Sequence, residues 1–133
     1  RVFLFSEELY EADAFSLQNM DQFRSVVRDS GLYGRGTDLG TALEKLNTMN
    51  PAALNNATTL LILSDTKTID QQRAVKTLLE SKRLAGRVIM LNPIPENKWQ
   101  YIRSAQTFSS LCTMISCATL RDLAAACRKL VAN

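Results

Sequence analysis

The sequence predicts an α/β fold, doubly wound, with a mostly parallel sheet and helices on both faces. Three observations predict it. Strand-like and helix-like segments alternate along the chain. The best strand is an unbroken apolar run, Thr58 to Ser64, reading T-T-L-L-I-L-S. Capping signals open the segments after two of the strands. Such alternation implies helices crossing over a parallel sheet, and an uninterrupted apolar run suits a strand buried on both faces. With 133 residues, 46% of them hydrophobic and 22% charged, the chain can form one compact domain without disulfide staples.

Each element has its own signal. Val2 to Phe5 is a short apolar run, read as a buried strand. Met20 to Arg28 places Phe23, Val26 and Val27 on one helical face. Asp29 to Gly36 holds Gly31, Gly34 and Gly36 and reads as a loop. Leu39, Ala42, Leu43 and Leu46 follow at helical spacing, in a helix that ends before Asn50-Pro51. After the Thr58–Ser64 strand, Thr68 and Gln71 have the spacing of a capping box. The helix they open presents Val75, Leu78 and Leu79 to the core and stops at Gly86. Arg87 to Leu91 is the next strand. Asn92-Pro93-Ile94-Pro95 is a rigid turn, because each proline also restrains the residue before it. Trp99 to Ala105 reads as a short helix and Thr113 to Cys117 as an edge strand. Thr119 and Asp122 form a second capping box. Leu120, Leu123, Ala124, Cys127, Leu130 and Val131 define the last helix. The predicted order is β-α-α-β-α-β-α-β-α. Ligands of such folds sit beyond the carboxyl ends of the strands, which here means Ser6 to Glu8, Ser64 to Thr68 and Asn92 to Trp99.

Composition excludes several function classes. Apolar runs such as Leu60 to Leu63 are far too short to cross a bilayer, so no membrane partner is expected. The net charge is +3, but Arg24, Arg28, Lys45, Lys67, Arg73, Lys76, Lys82, Arg83 and Arg87 are scattered. A nucleic-acid surface needs a concentrated stripe, so nucleic acid is not an expected partner. Cys112, Cys117 and Cys127 are odd in number and follow no secretory signal. They read as reduced thiols packed as small core hydrophobes in a cytoplasmic protein. The chain has no histidine, no G-x-S-x-G and no C-x-x-C, so neither a hydrolytic triad nor a zinc site is expected.

Two residues stand out as oxygen ligands. Asp65 directly follows the strongest strand and is placed at the carboxyl end of the sheet. A carboxylate there can hold a hard divalent cation or close a turn. Thr37 ends the stretch Gly34-Arg35-Gly36 and precedes a helix. Its hydroxyl can cap that helix or ligate a cation. The stretch Gly34 to Gly40 also bears on nucleotide binding, but it spaces its glycines G-x-G-x-x-x-G rather than G-x-G-x-x-G and lacks a strand before it. Glu7 and Glu8 read as solvated surface charges.

These residues resemble a known family. Gly36-Thr37-Asp38-Leu39-Gly40, Leu60-Leu61-Ile62-Leu63-Ser64-Asp65 and Leu91-Asn92-Pro93-Ile94-Pro95 with Trp99 look like CoxE-like von Willebrand factor A proteins. Cys117 to Ala124 is similar to the opening of that family's last helix, and Val2 to Ser6 to its second strand. The resemblance spans nearly the whole chain, and Leu-Asn-Pro-x-Pro-x-x-x-Trp is its most specific element. It implies a single domain over residues 1–133 with a von Willebrand A, Rossmann-like fold. It also implies that the first central strand and its D-x-S-x-S loop are missing from this chain. Without that strand, backbone groups on two central strands stay unpaired.

The resemblance further implies a metal-ion-dependent adhesion site. Its threonine is matched by Thr37 and its aspartate by Asp65, and its rim by Gly36, Asp38, Ser64 and Thr66. Mg²⁺ or Mn²⁺ is the implied ion. The partner is a protein presenting an Asp or Glu to it, in concert with a MoxR-type AAA+ ATPase that assembles a client enzyme or inserts its cofactor. Many relatives carry glycine after the metal aspartate, where this chain has Thr66. The expectation is therefore a non-enzymatic binding module. Two alternatives stand beside it: a structural interaction domain that has lost the metal, and a small nucleotide-binding α/β enzyme.

Overall fold

A computed structural model describes residues 1–13, 18–32, 34–49 and 53–132. The chain forms two compact units, Arg1–Asn50 with Thr68–Glu80, and Pro51–Lys67 with Ser81–Asn133.

In the first unit, β1 (Val2–Phe5) pairs antiparallel with β2 (Leu9–Ala12), with Phe5 opposite Leu9. Ser6 to Glu8 is thus the turn of a hairpin, closed by the Ser6 N–H donating to the Glu8 carbonyl at 3.0 Å. The sequence reading had no β2, because four residues after a Glu-Glu pair carry too little pattern. Helix α1 (Met20–Asp29) is capped by Asn19, whose side chain accepts from the Gln22 N–H at 2.9 Å. It buries none of its residues. Helix α2 (Leu39–Thr48) buries Leu39, Ala42, Leu43 and Leu46, the stripe expected from its spacing, and Gly40 besides. The Asn50-Pro51 stop signal lies outside the described residues.

Helix α3 (Gln71–Leu84) begins in this unit. Its cap is Asp70, not Thr68: the Asp70 carboxylate accepts from the Arg73 N–H at 3.1 Å. The Thr68 hydroxyl instead accepts from the Leu39 N–H at 2.9 Å, satisfying an orphan donor in the first turn of α2. The buried stripe of α3 includes Ala74 and Leu78, whereas Leu79 is exposed, contrary to expectation. Helix α2 approaches α3 at Gly40, where a Cβ would stand 3.1 Å from the Ala74 backbone nitrogen. Gly40 therefore serves close helix packing.

The second unit holds a parallel sheet in the order β3 (Thr59–Leu63), β4 (Arg87–Asn92), β5 (Thr113–Ser116). Helices flank it. Ile89 and Leu91 of β4 pack with Cys117 and with Leu123, Ala126 and Leu130 of α5 (Leu120–Ala132). The α5 entrance is a reciprocal capping box: Asp122 N–H to Thr119 Oγ1 and Thr119 N–H to Asp122 Oδ2, both at 3.1 Å. Leu120 and Val131, placed on the core face by their spacing, are exposed. The Trp99–Ala105 helix is really two elements, a 3-10 helix (Glu96–Tyr101) and α4 (Arg103–Leu111).

Strand β3 departs most from expectation. Only Ile62 is buried, while Leu61 is 48% and Leu63 60% exposed. Among the described residues β3 has a neighbour on one side alone, β4. A run composed for a doubly covered strand thus lies at a sheet edge. The cysteines differ too: Cys117 is buried and Cys112 half-buried, but Cys127 is exposed on α5. Burial pushes the Cys112 thiol up against the opposing pull of Lys82, and burial with the Asp122 charge does the same to Cys117. No helix among the described residues is long and apolar enough to cross a membrane.

Candidate metal centre

Thr37 lies in the first unit, in the short segment between Gly36 and α2. Its carbonyl accepts from the Ile69 N–H at 2.9 Å. The helix-capping role that competed for its hydroxyl belongs to Asp38. That carboxylate accepts from the Thr41 N–H at 3.0 Å and from the Thr41 hydroxyl at 2.6 Å. The Thr37 hydroxyl has no hydrogen-bond partner among the described residues and is half-buried. Capping by Asp38 leaves it free to ligate.

Asp38 itself is committed to the helix. Burial opposes its ionisation, but hydrogen bonds from the Thr41 side chain and backbone, the Arg73 charge and the Gly40 N–H outweigh that cost. Its carboxyl is held below the usual aspartate range. The folded-state pKa then lies under the unfolded value of about 3.9. The stabilisation is complete above that pH and is lost as pH falls through the folded value. Asp38→Asn should flatten the acid-side fall of the melting temperature below about pH 4, and Asp38→Ala should cost about 1 kcal/mol at neutral pH. Thermal denaturation followed by circular dichroism across pH reads both.

Asp65 lies in the second unit, two residues past β3 and half-buried. One carboxylate oxygen, Oδ1, accepts from the Lys67 N–H at 3.0 Å, an Asx turn that fixes the side chain. No hydrogen bond among the described residues uses Oδ2. The turn role and the ligand role are therefore compatible. Hydroxyl and carboxylate oxygens are the donors that Mg²⁺ and Mn²⁺ take, so each residue, in its own unit, fits such an ion.

The rim residues divide. Gly36 is exposed and Asp38 half-buried, whereas Ser64 and Thr66 are buried. The Ser64 hydroxyl accepts from the Thr66 N–H at 3.0 Å, and the Thr66 hydroxyl lies 2.9 Å from that of Ser104. These two hold the loop behind Asp65 and do not present a surface. Thr66 adopts φ 70°, left-handed backbone that costs a β-branched residue roughly 1–2 kcal/mol. That is the conformation a glycine supplies at no steric cost. Threonine holds it here with a buried hydroxyl bond, so the backbone turn survives the departure from the glycine pattern.

The third loop, Asn92 to Trp99, is spent on structure. Asn92 is fully buried and its Oδ1 accepts from the Ile94 N–H at 2.9 Å. The Ile94 carbonyl accepts from Trp99 Nε1 at 2.9 Å and from the Ser116 hydroxyl at 3.2 Å. The Asn-Pro-x-Pro-x-x-x-Trp spacing is thus a clamp on one peptide. Among the described residues no group of three or more Cys, Asp or Glu could hold a metal. A cavity of about 490 Å³ lies on α1, lined by Phe23, Arg24, Val27, Arg28 and Gly31, and includes none of the predicted residues.

Ser6, in the first of the three loops expected to face a ligand, is not among the residues predicted to form the site. Ser6 sits in the hairpin turn, 4% exposed, and its carbonyl accepts from the Asp38 N–H at 2.7 Å. A serine after a short strand carries no signal of its own.

No curated protein and no solved structure matches the chain. The family model described as "VWA domain containing CoxE-like protein" matches residues 1–130. That match covers the Gly-Thr segment, the β3 aspartate and the Asn-Pro clamp together, and the chain belongs to this family of VWA-type, CoxE-like proteins.

Proposed function

We propose that this domain is a divalent-metal-dependent protein-binding module and not an enzyme. Thr37 and Asp65 act as ligands of Mg²⁺ or Mn²⁺, and the ion keeps a position for an Asp or Glu of the partner protein. One observation carries the reading: Asp38 caps α2, and the Thr37 hydroxyl has no hydrogen-bond partner among the described residues. Membership of the VWA CoxE-like family supports it. Few anionic ligands leave the cation electrophilic enough to recruit an outside carboxylate. A metal ion bound in this way supplies a charged docking point, while Asp65 fixes its direction through the Lys67 turn.

The module in this reading works with a MoxR-type AAA+ ATPase, in assembly of a client enzyme or insertion of its cofactor. Co-purification of the full-length protein with such an ATPase and its client, with Mg²⁺ or with EDTA, tests the proposal. Binding should require the divalent ion and return when Mg²⁺ is restored. Binding of equal strength in EDTA favours an interaction domain that works without metal.

A further inference from the structure

Ser6 carries the one buried side-chain oxygen without a hydrogen-bond partner among the described residues. Buried hydroxyls are nearly always bonded, and leaving one unmade costs about 1–3 kcal/mol. A group of this kind calls for an explanation, and a bound water or ion is one. Both backbone groups of Ser6 are committed. Its N–H donates to the Glu8 carbonyl at 3.0 Å and its carbonyl accepts from the Asp38 N–H at 2.7 Å. The second bond ties Ser6 to the residue directly after Thr37. The Glu7 carboxylate lies along the same segment, with Oε1 3.2 Å from where a Cβ on Gly36 would stand. The end of β1 and the Gly36–Asp38 segment therefore run side by side within one unit. They carry Ser6, Glu7 and Thr37 within one unit, and among the described residues neither the Ser6 nor the Thr37 hydroxyl has a hydrogen-bond partner.

We infer that Ser6 is a positioning residue of the cation site, its hydroxyl holding a water of the ion bound at Thr37. The inference rests on the metal reading above. Mg²⁺ and Mn²⁺ surrender their waters reluctantly, so a site with few protein ligands keeps several. A hydroxyl both donates and accepts, so Ser6 Oγ can accept from such a water and orient it toward the Thr37 segment. Partners at this remove from the metal change affinity by roughly 10- to 100-fold.

The test uses Mn²⁺ titration of the full-length protein, read by electron paramagnetic resonance, with melting temperatures measured in EDTA. Ser6→Ala should weaken Mn²⁺ binding about 10- to 100-fold and leave the metal-free melting temperature unchanged or raised, because an orphan hydroxyl has been removed. Ser6→Cys, which keeps the volume but only a weak donor, should behave alike, so the comparison survives if one variant folds poorly. If both bind Mn²⁺ as the wild type does, the inference is overturned while the metal reading stands. If the wild type itself binds no Mn²⁺, both are overturned.

Discussion

Gly86→Ala is expected to destabilise the second unit severely. A Cβ at Gly86 would stand 2.0 Å from the Asn56 carbonyl oxygen and 2.9 Å from the Asn56 carbonyl carbon. Both are backbone atoms, so no side-chain rotation relieves the collision. The contact also lies where the ladder begins. The Gly86 N–H donates to the Thr58 carbonyl at 3.0 Å and the Arg87 N–H to the same oxygen at 3.2 Å, so moving the chain apart breaks the start of the β3–β4 pairing. Overpacking typically costs about 1–3 kcal/mol, and a backbone obstacle places this site at the upper end. The melting temperature should fall by about 10 °C or more. Gly40→Ala meets one Arg73 side-chain carbon and two α3 backbone atoms at 3.0–3.2 Å, against 2.0 Å at Gly86, so it should cost clearly less. Thermal denaturation of the two variants side by side reads the difference.

Asp65→Ala is expected to abolish divalent-dependent partner binding in the full-length protein while changing its melting temperature little. Among the described residues the carboxylate's one bond is to the Lys67 N–H, at an exposed residue, and losing such a bond costs about 1 kcal/mol. Asp65→Asn separates the turn from the charge. The amide oxygen still accepts from Lys67, so the loop keeps its shape, but a hard divalent cation loses its anionic ligand. Partner binding should fall at least about 100-fold, equivalent to about 2.7 kcal/mol. Pull-down with purified partner in Mg²⁺ is the readout. A variant that binds as the wild type does counts against a ligand role for Asp65.

Elements with strong local signals were legible in the sequence. The apolar run of β3 placed Asp65 just beyond a strand end, and the Thr119–Asp122 spacing became a reciprocal cap at the start of α5. The 3–4 spacing of α2 predicted its buried stripe residue by residue. Tertiary competition hid the rest. Thr68 has the spacing of a cap for α3, but its hydroxyl is claimed by the first turn of α2, and Asp70 caps in its place. The β3 leucines read as doubly buried because composition reports the cover a strand is built for and not the neighbours it has. Leu61 and Leu63 are exposed where, among the described residues, β3 pairs with β4 alone. The left-handed backbone at Thr66 had a sequence hint, a position where relatives carry glycine. The buried hydroxyl of Ser6 had none, because one serine after a short strand looks like any turn residue.

Mn²⁺ stoichiometry in the full-length protein tests the central claim most directly, comparing the wild type with Thr37→Val and Asp65→Asn. Thr37→Val removes only the hydroxyl, since the Thr37 carbonyl holds the Ile69 bond. Asp65→Asn removes only the charge. If the two side chains serve the same ion, each substitution alone eliminates the same tightly bound Mn²⁺ and leaves the fold intact. Retention of that ion at wild-type affinity in either variant contradicts the account.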